Sequence, residues 1–168
     1  KAIYTYKSKH LCFKVGEKAN TVEIPQKILE SKNKDIQLSF VRGLADTDFS
    51  LVFQKKHKKR HYYPVIVGAL NSKKIIEQTA EILRSAGFNA TTRKCNRKDR
   101  NTQYEVRLFG PNQLELWMNK ISFNNAKHLT KYLVWKKFGF CPSKSKIKDR
   151  NMMLNGELDP NLFYRGGN

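Results

Sequence analysis

Two aspartates, Asp46 and Asp48, close a stretch whose pattern is helical from about Lys34, with Asn33 as its cap. They stand in the helix's last turn, where the macrodipole favours cations. Acids placed against that field can serve a metal, because Mg²⁺ takes carboxylate and carbonyl oxygens. The pair reads equally well as a solvated helix end with an aspartate capping a turn, and local residues do not separate the two. The same helix carries a second pattern. Residues four apart share a row, so Ser39, Gly43 and Thr47 make a row of small side chains, with Ile36, Phe40 and Leu44 as an apolar row beside it. Small residues at this spacing let two helix backbones approach closely, a rule best documented in membranes. An ordinary core helix with a chance glycine is the plainer alternative. An interior glycine costs about 1 kcal/mol against alanine, which close packing can offset.

The rest of the chain must place that helix. Phe49–Lys56 has strand character, with Leu51 and Phe53 on one face and Ser50, Val52 and Gln54 on the other. His57–Arg60 is a hairpin tip and His61–Leu70 a second strand, in which Pro64 marks an edge or a bulge. Ser72 caps a helix over Lys73–Ser85, with Ile75, Ile76, Thr79, Ile82 and Leu83 at helical spacing and Gly87 as its stop. A second hairpin follows: a strand over Asn89–Cys95, a basic turn over Asn96–Asn101 and a strand over Thr102–Phe109. There Tyr104, Val106 and Leu108 face one way, and Gln103, Glu105 and Arg107 the other. Gly110–Pro111 opens a helix with Leu114, Trp117, Met118 and Ile121 on its core face. Asn125 caps another over Ala126–Phe138, stopped by Gly139 and Pro142. Upstream, His10–Val15 reads as a short strand, Gly16 as a loop, and Ile24–Pro25 as the opening of a helical turn through Ile28 and Leu29. Three regions result: a lead-in over 1–32, one domain over 33–142 and an irregular tail with little core over 143–168. The order α–β–β–α–β–β–α–α predicts an α+β fold, with one mostly antiparallel four-stranded sheet shaped as a saddle. Helices cover one face and the other is polar and basic.

Charge names the partner class. Lysine and arginine number 33 against 14 acidic residues, for a net charge of +19. A surface this basic calls for a polyanion. Nucleic acid is the first candidate and an anionic membrane the other. No apolar stretch reaches the roughly 18–20 residues of a membrane-spanning helix, and no signal peptide is visible. An aromatic content of 11 % indicates a packed domain rather than a polybasic tail. Cys12, Cys95 and Cys141 are odd in number and widely spaced, which suggests neither a zinc site nor a disulfide framework. A reducing compartment fits best: cytoplasmic, nucleoid-associated, or organellar in a eukaryote. The first residue is Lys1, not methionine, which leaves room for a missing or processed N-terminal piece.

Basic residues gather at both hairpins: Lys55, Lys56, Lys58, Lys59 and Arg60 at the first, and Arg93, Lys94, Arg97, Lys98 and Arg100 at the second. A single cluster of this kind is usually a solvated charge run. Two of them on one sheet suggest a duplex-binding surface, since a β-ribbon can enter the major groove. Alternation after Asp48 puts Ser50, Val52, Gln54 and Lys56 on that surface, joined by Tyr62, Ile66, Gln103, Glu105 and Arg107. Lysines there would touch phosphates and set affinity, while Gln54, Gln103 and Arg107 suit base edges. His10, His57, His61 and His128 show no ligand spacing and read as surface or packing residues. Trp117 and Trp135 read as core.

The segment Val41-Arg-Gly-Leu-Ala-Asp-Thr-Asp-Phe49 resembles the LAGLIDADG motif of homing endonucleases. Its surroundings are similar too: IPQKILES upstream, a basic hairpin, NSKKIIEQTAEILRSAGF, and NKISFNNAKHLTKYLVWKKFGF. The likeness covers about residues 22–140 and looks similar to the archaeal and intein-associated branch. It implies that two motif helices pack together, through Ser39, Gly43, Leu44 and Thr47 here. It implies that Asp48 binds the divalent metal, Mg²⁺ or Mn²⁺, with the Thr47 carbonyl beside it, and that Asp46 is more structural. It further implies a water-positioning role for Asn71 and a phosphate-facing lysine at Lys127, with Lys73 and Lys74 as weaker matches. The chain departs from the motif at its last position, where Phe49 stands for a small or polar residue. That ring either shifts the neighbouring carboxylate or begins the strand. With one motif per chain, the resemblance implies a homodimer that cuts double-stranded DNA at a pseudo-palindromic site. Two alternatives stand beside it. One is a non-cleaving relative, an intron RNA maturase or a DNA-binding regulator. The other is the C-terminal half of a two-repeat endonuclease.

Overall fold

A computed structural model of the chain describes residues 22–96 and 102–165. The expected strand over His10–Val15, with Cys12 and Gly16, lies outside the described residues, as do Arg97, Lys98 and Arg100. After a short turn of helix, α1 (Gln26–Leu29), the motif helix α2 runs over Lys34–Asp48. Asn33 starts it, its side chain accepting the Asp35 N–H at 2.9 Å. It ends because Phe49 turns extended, with φ −93° and ψ 163°.

Two hairpins and a helix between them follow: β1 (Phe49–Gln54), β2 (Tyr63–Leu70), α3 (Lys73–Ser85), β3 (Thr91–Cys95) and β4 (Gln103–Phe109). They make one antiparallel sheet in the order β1-β2-β4-β3. Then come α4 (Pro111–Lys120), α5 (Ala126–Phe138), α6 (Ile147–Asn155) and a 3₁₀ turn over Pro160–Tyr164. The fold is α+β, with β1 alternating as expected: Phe49, Leu51 and Phe53 are buried, and Ser50, Val52 and Gln54 are half-buried on the open side.

The core lies between the sheet's covered face and the helices. Trp117 of α4 is its centre, fully buried, with ring centroids 6.0 Å from Phe49, 6.0 Å from Phe88 and 5.3 Å from Phe123. Trp135 packs at the other end, stacked on Phe53 and donating its indole N–H to the Tyr62 carbonyl at 2.8 Å.

Four expectations are corrected by this arrangement. Pro64 lies in β2, an inner strand, and not at a sheet edge or bulge. Its carbonyl points toward β4 and accepts from the Gly110 N–H at 2.9 Å. The missing proline N–H therefore falls just beyond the β2–β4 ladder, which begins at Val65, and Gly110 gives its own carbonyl to Leu114 of α4 instead. Ile66 is opposite Leu51 in the ladder, so it enters the core and does not face a ligand. Lys94 is opposite Tyr104, which puts it on the helix-covered side with Lys73 rather than beside Arg93. The stretch read as an irregular tail contains α6, packed on α5. It buries Met153 together with Arg150, whose guanidinium reaches Thr130 Oγ1 at 2.9 Å and the carbonyls of Ser145 and Lys127. Burying this charge is possible because each of the three guanidinium nitrogens finds a neutral acceptor.

Candidate functional site

The two aspartates at the end of α2 have separate jobs. Asp46 points across to α5. Its Oδ1 accepts the N–H groups of Asn124 and Asn125 at 3.0 and 3.1 Å, and its carbonyl accepts from Asn125 Nδ2 at 3.0 Å. Asn125 in turn caps α5, accepting the Lys127 N–H at 2.9 Å. Asp46 is thus a clamp that brings the first turn of α5, with Lys127, to the end of the motif helix. Asp48 is exposed and makes no such anchor. Its Oδ2 lies 2.7 Å from Thr47 Oγ1, which is also 3.0 Å from the Leu44 carbonyl. The hydroxyl orients the carboxylate and leaves its other oxygen open.

Phe49 begins the strand and leaves this carboxylate alone. Its ring is 3 % exposed and points into the core, over the bare α-carbon of Gly68 in the partner strand. Asn71 lies past the end of β2 that pairs with the start of β1, so the register carries it to the same end of the sheet as Asp48. It continues the alternation of Val65, Val67 and Ala69 along the open side. Lys73 and Lys74 open α3 and are engaged elsewhere, with Glu77 at 3.4 Å and with Glu23 respectively.

Behind the site, His128 is 2 % exposed. Its Nδ1 accepts from the Leu51 N–H at 3.4 Å, and its ring centroid lies 4.9 Å from that of Phe123. Burial, and then the charges of Lys131 and Lys127, push its pKa down to about 4. Lys131 is itself lowered by burial and by Arg150, while its Nζ donates to the Leu51 carbonyl at 2.8 Å. A histidine whose folded pKa is depressed binds its proton more readily in the unfolded chain. Stability is therefore full above pH 6.5 and falls as the pH drops toward about 4. This one group accounts for roughly 3 kcal/mol across that window. Urea titrations between pH 7 and pH 4 should show this slope, and a His128→Gln variant should lose most of it.

The open side of the sheet carries Ser50 and Gln54 of β1, Tyr63 and Val67 of β2, Gln103, Glu105, Arg107 and Phe109 of β4, and Arg93 of β3. Glu105 holds its two arginines in place, at 2.7 Å from Arg93 Nε and 3.0 Å from Arg107 Nε. Burial raises the Glu105 pKa, but the hydrogen bonds from Arg93 and Cys95 and the charges of the two arginines outweigh it and hold the carboxyl below its ordinary value. Glu105 is therefore a brace that presents two guanidinium groups, a role that charge reading alone did not assign. At the first tip, Lys56 Nζ lies 3.3 Å over the Tyr63 ring and Lys58 Nζ 4.6 Å over the Tyr62 ring, with Lys59 and Arg60 exposed. The register puts this tip beyond Gln54 and Tyr63. The ends of β3 and β4 at Cys95 and Gln103 point the opposite way, toward Leu70. The described strand ends of the two hairpins thus lie at opposite ends of the sheet.

Among the described residues nothing covers the remaining row of α2. Ser39, Gly43 and Thr47 are exposed, Ile36 is 49 % exposed, Phe40 and Leu44 are half-buried against the core, and no described residue lies within 4 Å of a β-carbon built on Gly43. Among the described residues no group of three or more His, Cys, Asp or Glu side chains could hold a metal. One chain offers Asp48 and the Thr47 carbonyl, a hard-oxygen pair that suits Mg²⁺, which needs only one or two carboxylates and keeps its waters. Among the described residues no helix is long and apolar enough to cross a membrane.

A comparison with curated proteins found no match. A family model described as a LAGLIDADG-like domain matches residues 35–123, from the first turn of α2 through all four strands to Phe123. With more than half of its length matched, and with the antiparallel sheet behind the motif helix, the chain belongs to the LAGLIDADG family of homing-endonuclease and maturase-like proteins.

Proposed function

We propose that the protein is a site-specific, divalent-metal-dependent DNA endonuclease that works as a homodimer, with α2 of each copy packed on the other. The observation that carries this reading is that row of α2, uncovered among the described residues, which ends at Asp48. Two copies joined along Ser39, Gly43, Leu44 and Thr47 would bring two Asp48 carboxylates to one centre. Mg²⁺ or Mn²⁺ held by Asp48 and the Thr47 carbonyl would supply charge stabilisation for both oxygens of a displacement at phosphorus. The chain's own residues do the rest. Thr47 orients the carboxylate, Asn71 is the polar group available to position water, and Lys127 is the cation available to the phosphate. Arg93 and Arg107, braced by Glu105, face the groove with Ser50, Gln54, Tyr63 and Gln103; Tyr62, one residue earlier, shares the parity of Ile66 and falls on the other side. Lys56, Lys58, Lys59 and Arg60 contact phosphates at the outer end. A longer chain with two motif helices would use the same row against its own repeat.

The test is to select a duplex site from a random library, then incubate it with the protein in Mg²⁺ or Mn²⁺. Double-strand cleavage is expected. A second reading, a non-cleaving relative, starts from the same basic sheet, which would hold nucleic acid whether or not Asp48 binds a metal. Tight binding without cutting in either metal would favour it. The seam has its own check. Gly43→Glu sets like charges together across a two-fold axis, a cost of several kcal/mol. It should turn a dimer into a monomer in sedimentation, with the circular dichroism spectrum unchanged.

A further inference from the structure

Beyond residue 123, where the family match ends, the chain builds one wall of a cleft that the endonuclease reading does not use, facing Lys59 and Arg60 where the duplex contacts of the first hairpin end. One wall is the base of the first hairpin, with Lys55, Lys59 and Arg60. The other is the 3₁₀ turn and Arg165, and the space between them is about 710 Å³. Tyr164 bolts the walls together. Its hydroxyl accepts the His61 N–H at 3.2 Å and lies 2.9 Å from His61 Nδ1, and its ring centroid is 5.8 Å from that of Phe140. Arg60 is held in turn over the Phe140 ring at 4.8 Å. Phe163, beside Tyr164, takes no part in this anchorage and stays 38 % exposed on the cleft. Asp159 pairs with Arg165 at 3.6 Å and offsets part of the charge, but four cations line the space.

Cations with room between them suit a phosphate. An exposed ring beside them suits a base whose face is free, and in a continuous duplex base faces are already stacked. The combination is that of single-strand binding sites, in which a basic groove follows the backbone and aromatic rings stack on bases. We propose that this cleft binds an unpaired nucleotide of single-stranded nucleic acid beside the duplex site, with phosphate against Lys55, Lys59, Arg60 and Arg165 and the base on Phe163. It rests on the nucleic-acid reading of the first hairpin only for where the duplex lies.

Fluorescence anisotropy with the full chain tests it. The probes are a blunt duplex, the same duplex with a single-stranded tail of about six nucleotides, within the usual site size, and the tail alone, each as DNA and as RNA. The wild type should bind the tailed duplex about tenfold more tightly than the blunt one. Phe163→Ala should remove that advantage and leave blunt-duplex binding within about twofold, Phe163→Trp should keep it, and thermal melting should be unchanged because Phe163 is exposed. The DNA and RNA arms identify which strand is preferred. Equal affinity for tailed and blunt probes, or equal weakening of both by Phe163→Ala, overturns the inference. If the wild type ignores duplex but binds the tail in a Phe163-dependent way, the endonuclease reading fails and the cleft stands.

Discussion

An Asp48→Asn variant is expected to bind its selected duplex as the wild type does and to cut it at least about a thousandfold more slowly. The substitution keeps the shape of the side chain and removes the charge that would hold a divalent cation. Charge stabilisation by such a cation is worth several kcal/mol in the transition state, and each 1.36 kcal/mol is tenfold in rate. Asp48 is exposed, and its side chain is hydrogen-bonded locally, by the Thr47 hydroxyl, so the fold should not notice. Asp46, two residues away, should behave in the opposite manner. Asp46→Ala removes the acceptor for the N–H groups of Asn124 and Asn125 and loosens α5 from α2. It should cost about 1–3 kcal/mol in urea unfolding and lower activity only as far as Lys127 is displaced. Rates under single-turnover conditions, gel-shift affinities and urea midpoints for both variants separate the two roles. If Asp48→Asn cuts as fast as the wild type, the metal role of Asp48 is wrong.

The division of labour between these aspartates was partly legible in the sequence. Both stood out as acids at the wrong end of a helix, and the family likeness assigned one to metal and the other to structure. The partner of Asp46 was not legible, because Asn124 and Asn125 lie on the far side of two hairpins and nothing local announces the contact. The elements themselves read well wherever apolar side chains keep a period: α3 and α5 have the expected bounds, and β1 alternates as written. Reading failed where another force replaces apolar periodicity. α6 is held by Arg150 as much as by Met153, and a buried arginine leaves no hydrophobic trace. Its stop, Gly156 with φ 85°, was the signal that could have been used. Ile66 and Lys94 were misplaced for a different reason. A strand's two faces alternate with period two, so the hairpin register decides them, and the loop between Gln54 and Tyr63 does not declare its register in composition. The brace at Glu105 needed the same register, which sets Arg93 directly opposite it.

Gly68→Ala should be among the most destabilising single-methyl additions in this chain, and a second substitution should largely cure it. A β-carbon at Gly68 would lie 2.1 Å from Phe49 Cε1 and 2.5 Å from Cδ1 and Cζ. No real contact is that short, so the ring or the strand must move. The ring has little freedom. It is boxed in with Trp117 on the covered face, and Gly68 is its direct neighbour in the ladder. Overpacking of this kind costs about 1–3 kcal/mol and occasionally more, and the rigid neighbours put this site at the upper end. Phe49→Ala alone should cost about 3–5 kcal/mol, by leaving a void beside Trp117. Phe49→Leu with Gly68→Ala restores volume without the ring. The pair should be more stable than the sum of the single changes predicts, by more than the roughly 0.5 kcal/mol within which independent sites add. Urea unfolding of the four proteins measures that coupling. The same cycle decides what the odd last position of the motif means. If Phe49 is a core residue matched to a bare Gly68, then Phe49→Leu with Gly68→Ala should keep wild-type cleavage, because Asp48 points away from the ring. A cycle that shows no coupling would mean that the ring yields, and Phe49 would then have to be explained by its neighbour in the chain rather than by its partner across the sheet.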